Sequence, residues 1–184
     1  CGYGPVSSFR RSFIHYRSHH YGGWWLDGDL VIRQLKKSQF TMNKHHSHII
    51  IIGAGNVGSR HLQGLARIDR EIDISVIDPD QASLEVAKER FQEMPANILI
   101  KSISYYESIG LLENDVDVAI ISTNADIRRS VVEELLCQVR VRYIILEKVA
   151  FQSVKDFRMV IGLLKRKHVK AWVNIPWRMG SAFK

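Results

Sequence analysis

The tightest constraint on this chain is one junction: residues 48–52, HIIII, run directly into Gly53-Ala54-Gly55-Asn56-Val57-Gly58. An unbroken β-branched run has no polar alternation, so it reads as a strand buried on both faces. Such a strand belongs in a parallel sheet covered by helices on each side. G-x-G-x-x-G alone is a weak pattern, because short glycine spacings recur by chance; between a buried strand and a helix it acquires meaning. Gly53 permits the tight turn off the strand, Gly55 removes a Cβ that would collide with a pyrophosphate, and Gly58 lets the helix pack close. Ala54, Asn56 and Val57 complete the loop, and the free N–H groups at the helix start face an anion. The competing interpretation is a glycine-rich turn that holds no ligand.

The pattern downstream fits. Strands are predicted at 72–77 (IDISVI), 97–101, 116–121 (VDVAII), 142–146 (RYIIL) and 168–173 (HVKAWV). Helices are predicted at 57–69, 80–92, 126–139 and 152–167, with a short one at 105–112. The Met94-Pro95 pair closes the second helix, and Asn114-Asp115 ends the short one. Strands spaced by helices imply right-handed parallel crossovers, hence a six-stranded, doubly wound α/β Rossmann fold. The dinucleotide-binding domain is expected over 42–178, and 179–184 is expected to begin a connection to a further domain. Residues 1–41 show no sustained period, hold five of the twelve glycines and carry a net charge of +4. Met42 is the first methionine, so this basic leader is read either as sequence outside the native protein or as a genuine basic arm.

Ligands of doubly wound sheets sit at the carboxyl ends of the strands. Asp78 ends the second strand, twenty positions past Gly58, the offset at which a carboxylate meets the adenosine ribose. No Lys or Arg follows directly, so a 2′-phosphate would be repelled and NAD(H) is expected over NADP(H). Asp78 also reads as a turn initiator before Pro79. Ser122-Thr123-Asn124 forms a small polar turn past which a cofactor can run, although Asn124 or Asp126 equally suits a helix N-cap. Lys148, after Glu147, points toward the nicotinamide side, where it would hold a substrate hydroxyl and help move its proton; an exposed surface lysine is the plainer alternative.

The net charge of +7 would suit nucleic acid, but residues beyond 41 carry only +3 and no basic stripe with interleaved aromatics. Neither nucleic acid nor membrane is expected as a partner; no apolar run approaches the roughly 20 residues of a span. Cys137 lies in an apolar helical pattern and reads as a buried thiol; Cys1 and Cys137 form no CxxC, so a cytoplasmic protein is the default. His45, His46 and His48 read as a solvated strand entrance and not a metal site. Arg128-Arg129 reads as a solvated face, and His61 as structural or near the cofactor.

Residues 48–178 resemble the N-terminal domain of the Gfo/Idh/MocA oxidoreductases, the glucose-fructose oxidoreductase and inositol dehydrogenase family. The matching pieces are G-x-G-x-x-G-x-x-H from Gly53 to His61, Asp78, VDVAIISTN at 116–124, YIILEKV at 143–149 and VNIPWRM at 173–179. The resemblance implies that Lys148 is the lysine of the family's Glu-Lys-Pro motif, that Thr123 and Asn124 line the nicotinamide ribose, and that Glu147 lies beside the cofactor. Arg178, in the Asn/Arg segment, would touch substrate. Val149 stands where the family has Pro, and Arg128 where a histidine is frequent. The family's second, α+β domain supplies further acid–base groups and much of the oligomer interface. It is not expected within these 184 residues, so a truncated, inactive form is the expectation, with oligomers only when that domain is present. The implied activity is hydride transfer between a nicotinamide and a hydroxyl carbon of a sugar, cyclitol or nucleotide-sugar. The alternative is a non-catalytic, nucleotide-sensing Rossmann module that regulates a partner; a methyltransferase is disfavoured by the full glycine motif and the strand order.

Overall fold

A computed structural model describes residues 46–112 and 115–175. The leader, Trp177, Arg178 and the segment 179–184 lie outside the described residues. Six strands form one sheet: β1 (Ser47–Ile52), β2 (Ile72–Ile77), β3 (Ile100–Tyr106), β4 (Val116–Ile121), β5 (Val141–Glu147) and β6 (Lys170–Asn174). Every pairing is parallel and the order is β3-β2-β1-β4-β5-β6, the doubly wound arrangement expected from the alternation. Helices α1 (Asn56–Leu65), α2 (Gln81–Gln92), α3 (Arg128–Gln138) and α4 (Val154–Arg166) provide the crossovers except that from β3 to β4, which passes through a 3₁₀ turn.

Two apolar layers flank the sheet. On one face Leu62 and Leu65 of α1 and Leu84 and Ala87 of α2 pack on Ile49, Ile51, Ile74, Val76 and Ile120. On the other, Val132, Leu135 and Leu136 of α3 and Val160 and Leu164 of α4 pack on Ile50, Ile52, Ala119, Ile121 and Ile144. The four isoleucines of β1 thus point alternately into both layers, and all four are buried. This central strand carries the glycine loop at its end, so the loop rises from the most constrained part of the molecule.

Four expectations need correction. The third strand starts at Ile100 rather than 97, because Asn97 builds a turn: its Nδ2 donates to Ala66 O (3.0 Å) and Ile68 O (2.8 Å), and its Oδ1 accepts from Leu99 N (3.0 Å). The strand then runs to Tyr106, through residues assigned to a helix; only a 3₁₀ turn remains at Ile109–Leu111. Ser102 and Ser104 pair in register with Asp73 and Ser75, so this edge strand has one polar face, which disguised it. Cys137 is an exposed free thiol: the buried side of α3 is taken by Val132, Leu135 and Leu136. Helix α3 begins at Arg128 with Ile127 at its cap and no capping side chain, so neither Asn124 nor Asp126 fills that role. Asp80 and Ser153 do cap α2 and α4, accepting from Ala82 N (3.3 Å) and Asp156 N (3.0 Å).

Candidate functional site

The carboxyl ends of β1, β2, β4, β5 and β6 meet on one rim, and the residues singled out from sequence gather there. Gly53 has φ +95, and a Cβ on it would lie 2.9 Å from Ser122 C and Thr123 N. Its glycine is fixed by backbone conformation and by the turn after β4, a neighbour the sequence does not reveal. A Cβ on Gly58 would lie 1.7 Å from Gly53 O, so the first turn of α1 sits directly against the loop. Gly55 differs. Its φ of −59 suits any residue, and nothing lies within 4 Å of the Cβ it lacks.

The loop is tied down by Asp78, whose Oδ2 accepts from Ala54 N (2.7 Å) and whose Oδ1 accepts from Asp80 N (2.9 Å). From α2, Arg90 reaches across to Ser59 Oγ (2.6 Å) and Asn56 Oδ1 (3.2 Å), a brace not anticipated from sequence. Helix α1 has no side-chain cap and no acidic residue in its first turn. Its first N–H groups, at Asn56, Val57 and Gly58, therefore face outward without intrahelical acceptors. Gly55, Asn56 and Val57 are exposed and Ala54 is buried.

On the other half of the rim the supports are buried side chains. Glu147, at the end of β5, accepts from His61 Nε2 (2.7 Å) and Asn174 Nδ2 (2.5 Å), both at Oε1. His61 is fully enclosed in α1 and Asn174 is 1% exposed at the end of β6. Burial alone would raise the Glu147 carboxyl; the hydrogen bonds from His61 and Asn174 and the charge of His61 outweigh it and hold the group below its ordinary value. His61 thus faces Glu147 across 86 residues of sequence.

Arg128 is also buried, at 3% exposure, which overturns its reading as a solvated residue. Its Nη1 donates to Glu147 O (2.5 Å), Val149 O and Ala150 O (3.2 Å), and its Nη2 to Thr123 O. Burial lowers its pKa from the ordinary arginine value, partly offset by the charges of Glu147 and Asp126. Arg129 does stay at the surface, paired with Glu133 (2.9 Å) and Asp156 (2.9 Å). Lys148 is exposed at the rim and its amine has no hydrogen-bond or ion-pair partner among the described residues; the Lys148–Val149 peptide bond is cis. Asn124 is exposed, whereas Ser122 and Thr123 are half-buried.

The rim fits a dinucleotide on two counts. The space beside Gly55 is left open although the fold does not require glycine there. Ser122 Oγ, Thr123 Oγ1 and Asn174 Oδ1 are buried polar atoms with no partner, and such groups are costly unless something satisfies them. His46 and His48 lie at the opposite end of the sheet: His46 pairs with Asp73, and His48 Nε2 lies 2.9 Å from Ser75 Oγ, while His45 lies outside the described residues. Among the described residues no group of three or more His, Cys, Asp or Glu side chains is placed to hold a metal, and no helix is long and apolar enough to cross a membrane.

The profile of the Gfo/Idh/MocA family, described as an oxidoreductase family with an NAD-binding Rossmann fold, matches residues 47–175, well over half of the chain. No curated protein matches. Solved structures share the fold at low identity. The apo scyllo-inositol dehydrogenase of Lactobacillus casei is 15% identical with a TM-score of 0.59, the alignment covering 77% of this chain and 40% of that one. The WlbA dehydrogenase of Chromobacterium violaceum, in complex with NADH and UDP-GlcNAcA, is 16% identical with a TM-score of 0.57, covering 72% and 35%. An NAD-binding protein of Listeria innocua is 21% identical with a TM-score of 0.54, covering 69% and 34%. This chain therefore spans roughly a third to two fifths of the length of these structures.

Proposed function

This chain belongs to the Gfo/Idh/MocA oxidoreductases, with their NAD-binding Rossmann fold, and from that premise we propose that it holds the dinucleotide for hydride transfer to or from a hydroxyl-bearing carbon. The observation that carries the proposal is Gly55. Its φ lies outside the left-handed range and nothing stands within 4 Å of its missing Cβ, so room for a ligand on the open side is the reason for glycine that the site supports best. In this reading the N–H groups of Asn56, Val57 and Gly58 take the pyrophosphate, where the N-terminal end of α1 favours an anion. Asp78 accepts from the adenosine ribose hydroxyls and opposes a 2′-phosphate, so NAD(H) binds better than NADP(H). Ser122, Thr123 and Asn124 line the nicotinamide ribose, and Glu147 stands beside them, held by His61 and Asn174. The bound nicotinamide supplies the hydride acceptor or donor; the protein supplies orientation and electrostatics.

Lys148 would hold the substrate hydroxyl and exchange its proton, a task suited to a free amine on the rim. Arg178 is proposed as a substrate contact. A polyhydroxylated substrate, whether sugar, cyclitol or nucleotide-sugar, is supported by two of the similar structures, an inositol dehydrogenase and one that holds UDP-GlcNAcA. We place the rest of the substrate pocket outside the described residues.

The test is a fluorescence titration of the full chain with NADH and NADPH, for the parent and Gly55→Val. The parent binds NADH in preference, and Gly55→Val loses binding by about a hundredfold or more while its far-UV circular dichroism stays that of the parent, since nothing lies within 4 Å of the added Cβ. Parent-like NADH binding by Gly55→Val would overturn the placement of the phosphates, and a preference for NADPH would overturn the role of Asp78.

A further inference from the structure

The buried guanidinium of Arg128 joins two turns at the ends of neighbouring strands. One is the turn after β4, reached at Thr123 O; the other follows β5 and is reached at Glu147 O, Val149 O and Ala150 O. These carbonyls lie on either side of Lys148, so the main chain that carries the exposed amine is held from both sides by one side chain. A planar guanidinium offers donors in a fixed fork, which suits several carbonyls at set directions better than an ammonium would. Every hydrogen bond from Arg128 goes to a main-chain carbonyl, and the carboxylates of Glu147 and Asp126 act on its charge only at a distance, which makes the carbonyl set difficult to loosen piecemeal. The neighbouring Asn124 and Lys148 side chains are both exposed, so the fork orders the backbone beneath them while leaving them free to meet ligands.

We propose that Arg128 is a positioning residue that locks the Ser122–Asn124 turn to the Glu147–Ala150 turn, so that the cofactor-side turn and the Lys148 turn order as one unit. Contact of a dinucleotide with the first turn is then passed to the second. That last statement rests on the cofactor reading above; the lock itself does not.

Hydrogen–deuterium exchange of the full chain, read by mass spectrometry with and without saturating NADH, tests both. In the parent, segments 122–126 and 147–151 exchange slowly, and NADH slows both. In Arg128→Met, uptake in 147–151 rises by about tenfold or more, because several charge-assisted hydrogen bonds hold that segment closed. Uptake across β2 stays that of the parent, which separates loss of the lock from general loosening of the fold. With NADH, the variant gains protection in 122–126 but not in 147–151. Parent-like uptake in 147–151 for Arg128→Met overturns the lock, and so does NADH protection in the parent confined to 122–126. If Arg128→Met fails to fold, Arg128→Lys keeps the charge without the fork, and parent-like uptake in 147–151 for it overturns the proposal equally. A parent that binds no NADH sinks the cofactor reading, while the nucleotide-free uptake of the variants still decides the lock.

Discussion

The two halves of the strand-end rim are held by different means. The glycine loop, Gly53 to Gly58, is shaped by backbone: a positive φ, two missing Cβ atoms and one carboxylate that takes the Ala54 N–H. The half built on β4, β5 and β6 is shaped by buried polar side chains, with Arg128, His61, Glu147 and Asn174 each gripping a partner far away in sequence. A backbone-shaped site leaves its mark in positions that tolerate no other residue type. A site shaped by buried polar side chains leaves almost none, because the same residues serve anywhere on a surface.

The strongest way to break this comparison is Gly58→Ala. Its methyl group would fall 1.7 Å from a main-chain oxygen that cannot swing aside. We expect a loss of about 3 kcal/mol or more, the upper end for overpacking, with NADH binding lost as well. Urea denaturation measures it, and a variant as stable as the parent would show that α1 moves freely against the loop.

Next in size is His61→Leu, which strips the buried Glu147 carboxylate of one of its two donors at Oε1 and should cost about 3 kcal/mol. Its companion is a pH series. The folded Glu147 carboxyl lies below its ordinary value, so its contribution is complete above that value and disappears as pH falls through the folded one, where the unfolded chain has already taken up its proton. Glu147→Gln should flatten this acid limb. An unchanged limb would mean that other carboxylates govern it.

Smaller again is Asp78→Ala, expected to weaken NADH by about tenfold, the equivalent of one hydrogen-bonded contact, and to narrow its advantage over NADPH. Calorimetric titration reads both. Smallest is Cys137→Ser, on the exposed side of α3 and away from the rim, expected to change stability by less than about 0.5 kcal/mol and NADH affinity not at all. It is the control for both halves.

Legibility followed the same division. The alternation of strands and helices, the burial of β1 on both faces and the glycine loop can be read directly, since periodicity and glycine spacing are local properties. Lys148 and Glu147 could be located at a strand end, but the partnership of Glu147 with His61 joins residues 86 apart and has no local signature. An arginine at a helix start is usually solvated, so the local sequence does not reveal that Arg128 is buried. Its place where the resembled family often has histidine was the available hint that it faces inward. Strand β3 was misplaced because Ser102 and Ser104 interrupt the apolar run, and Cys137 because an apolar stretch of helix does not say which of its faces turns inward.

Asp78 carries one more consequence, for anyone wishing to retune the cofactor. Its carboxylate oxygens already serve the chain's own Ala54 and Asp80 amides. A swap to alanine or serine, the simplest route toward tolerating a 2′-phosphate, therefore also unties the loop, and specificity and affinity would fall together for unrelated reasons. Asparagine keeps one acceptor oxygen for Ala54 while discarding the charge. Engineering at this position should begin there, and a compensating basic residue should follow only once the loop is known to hold.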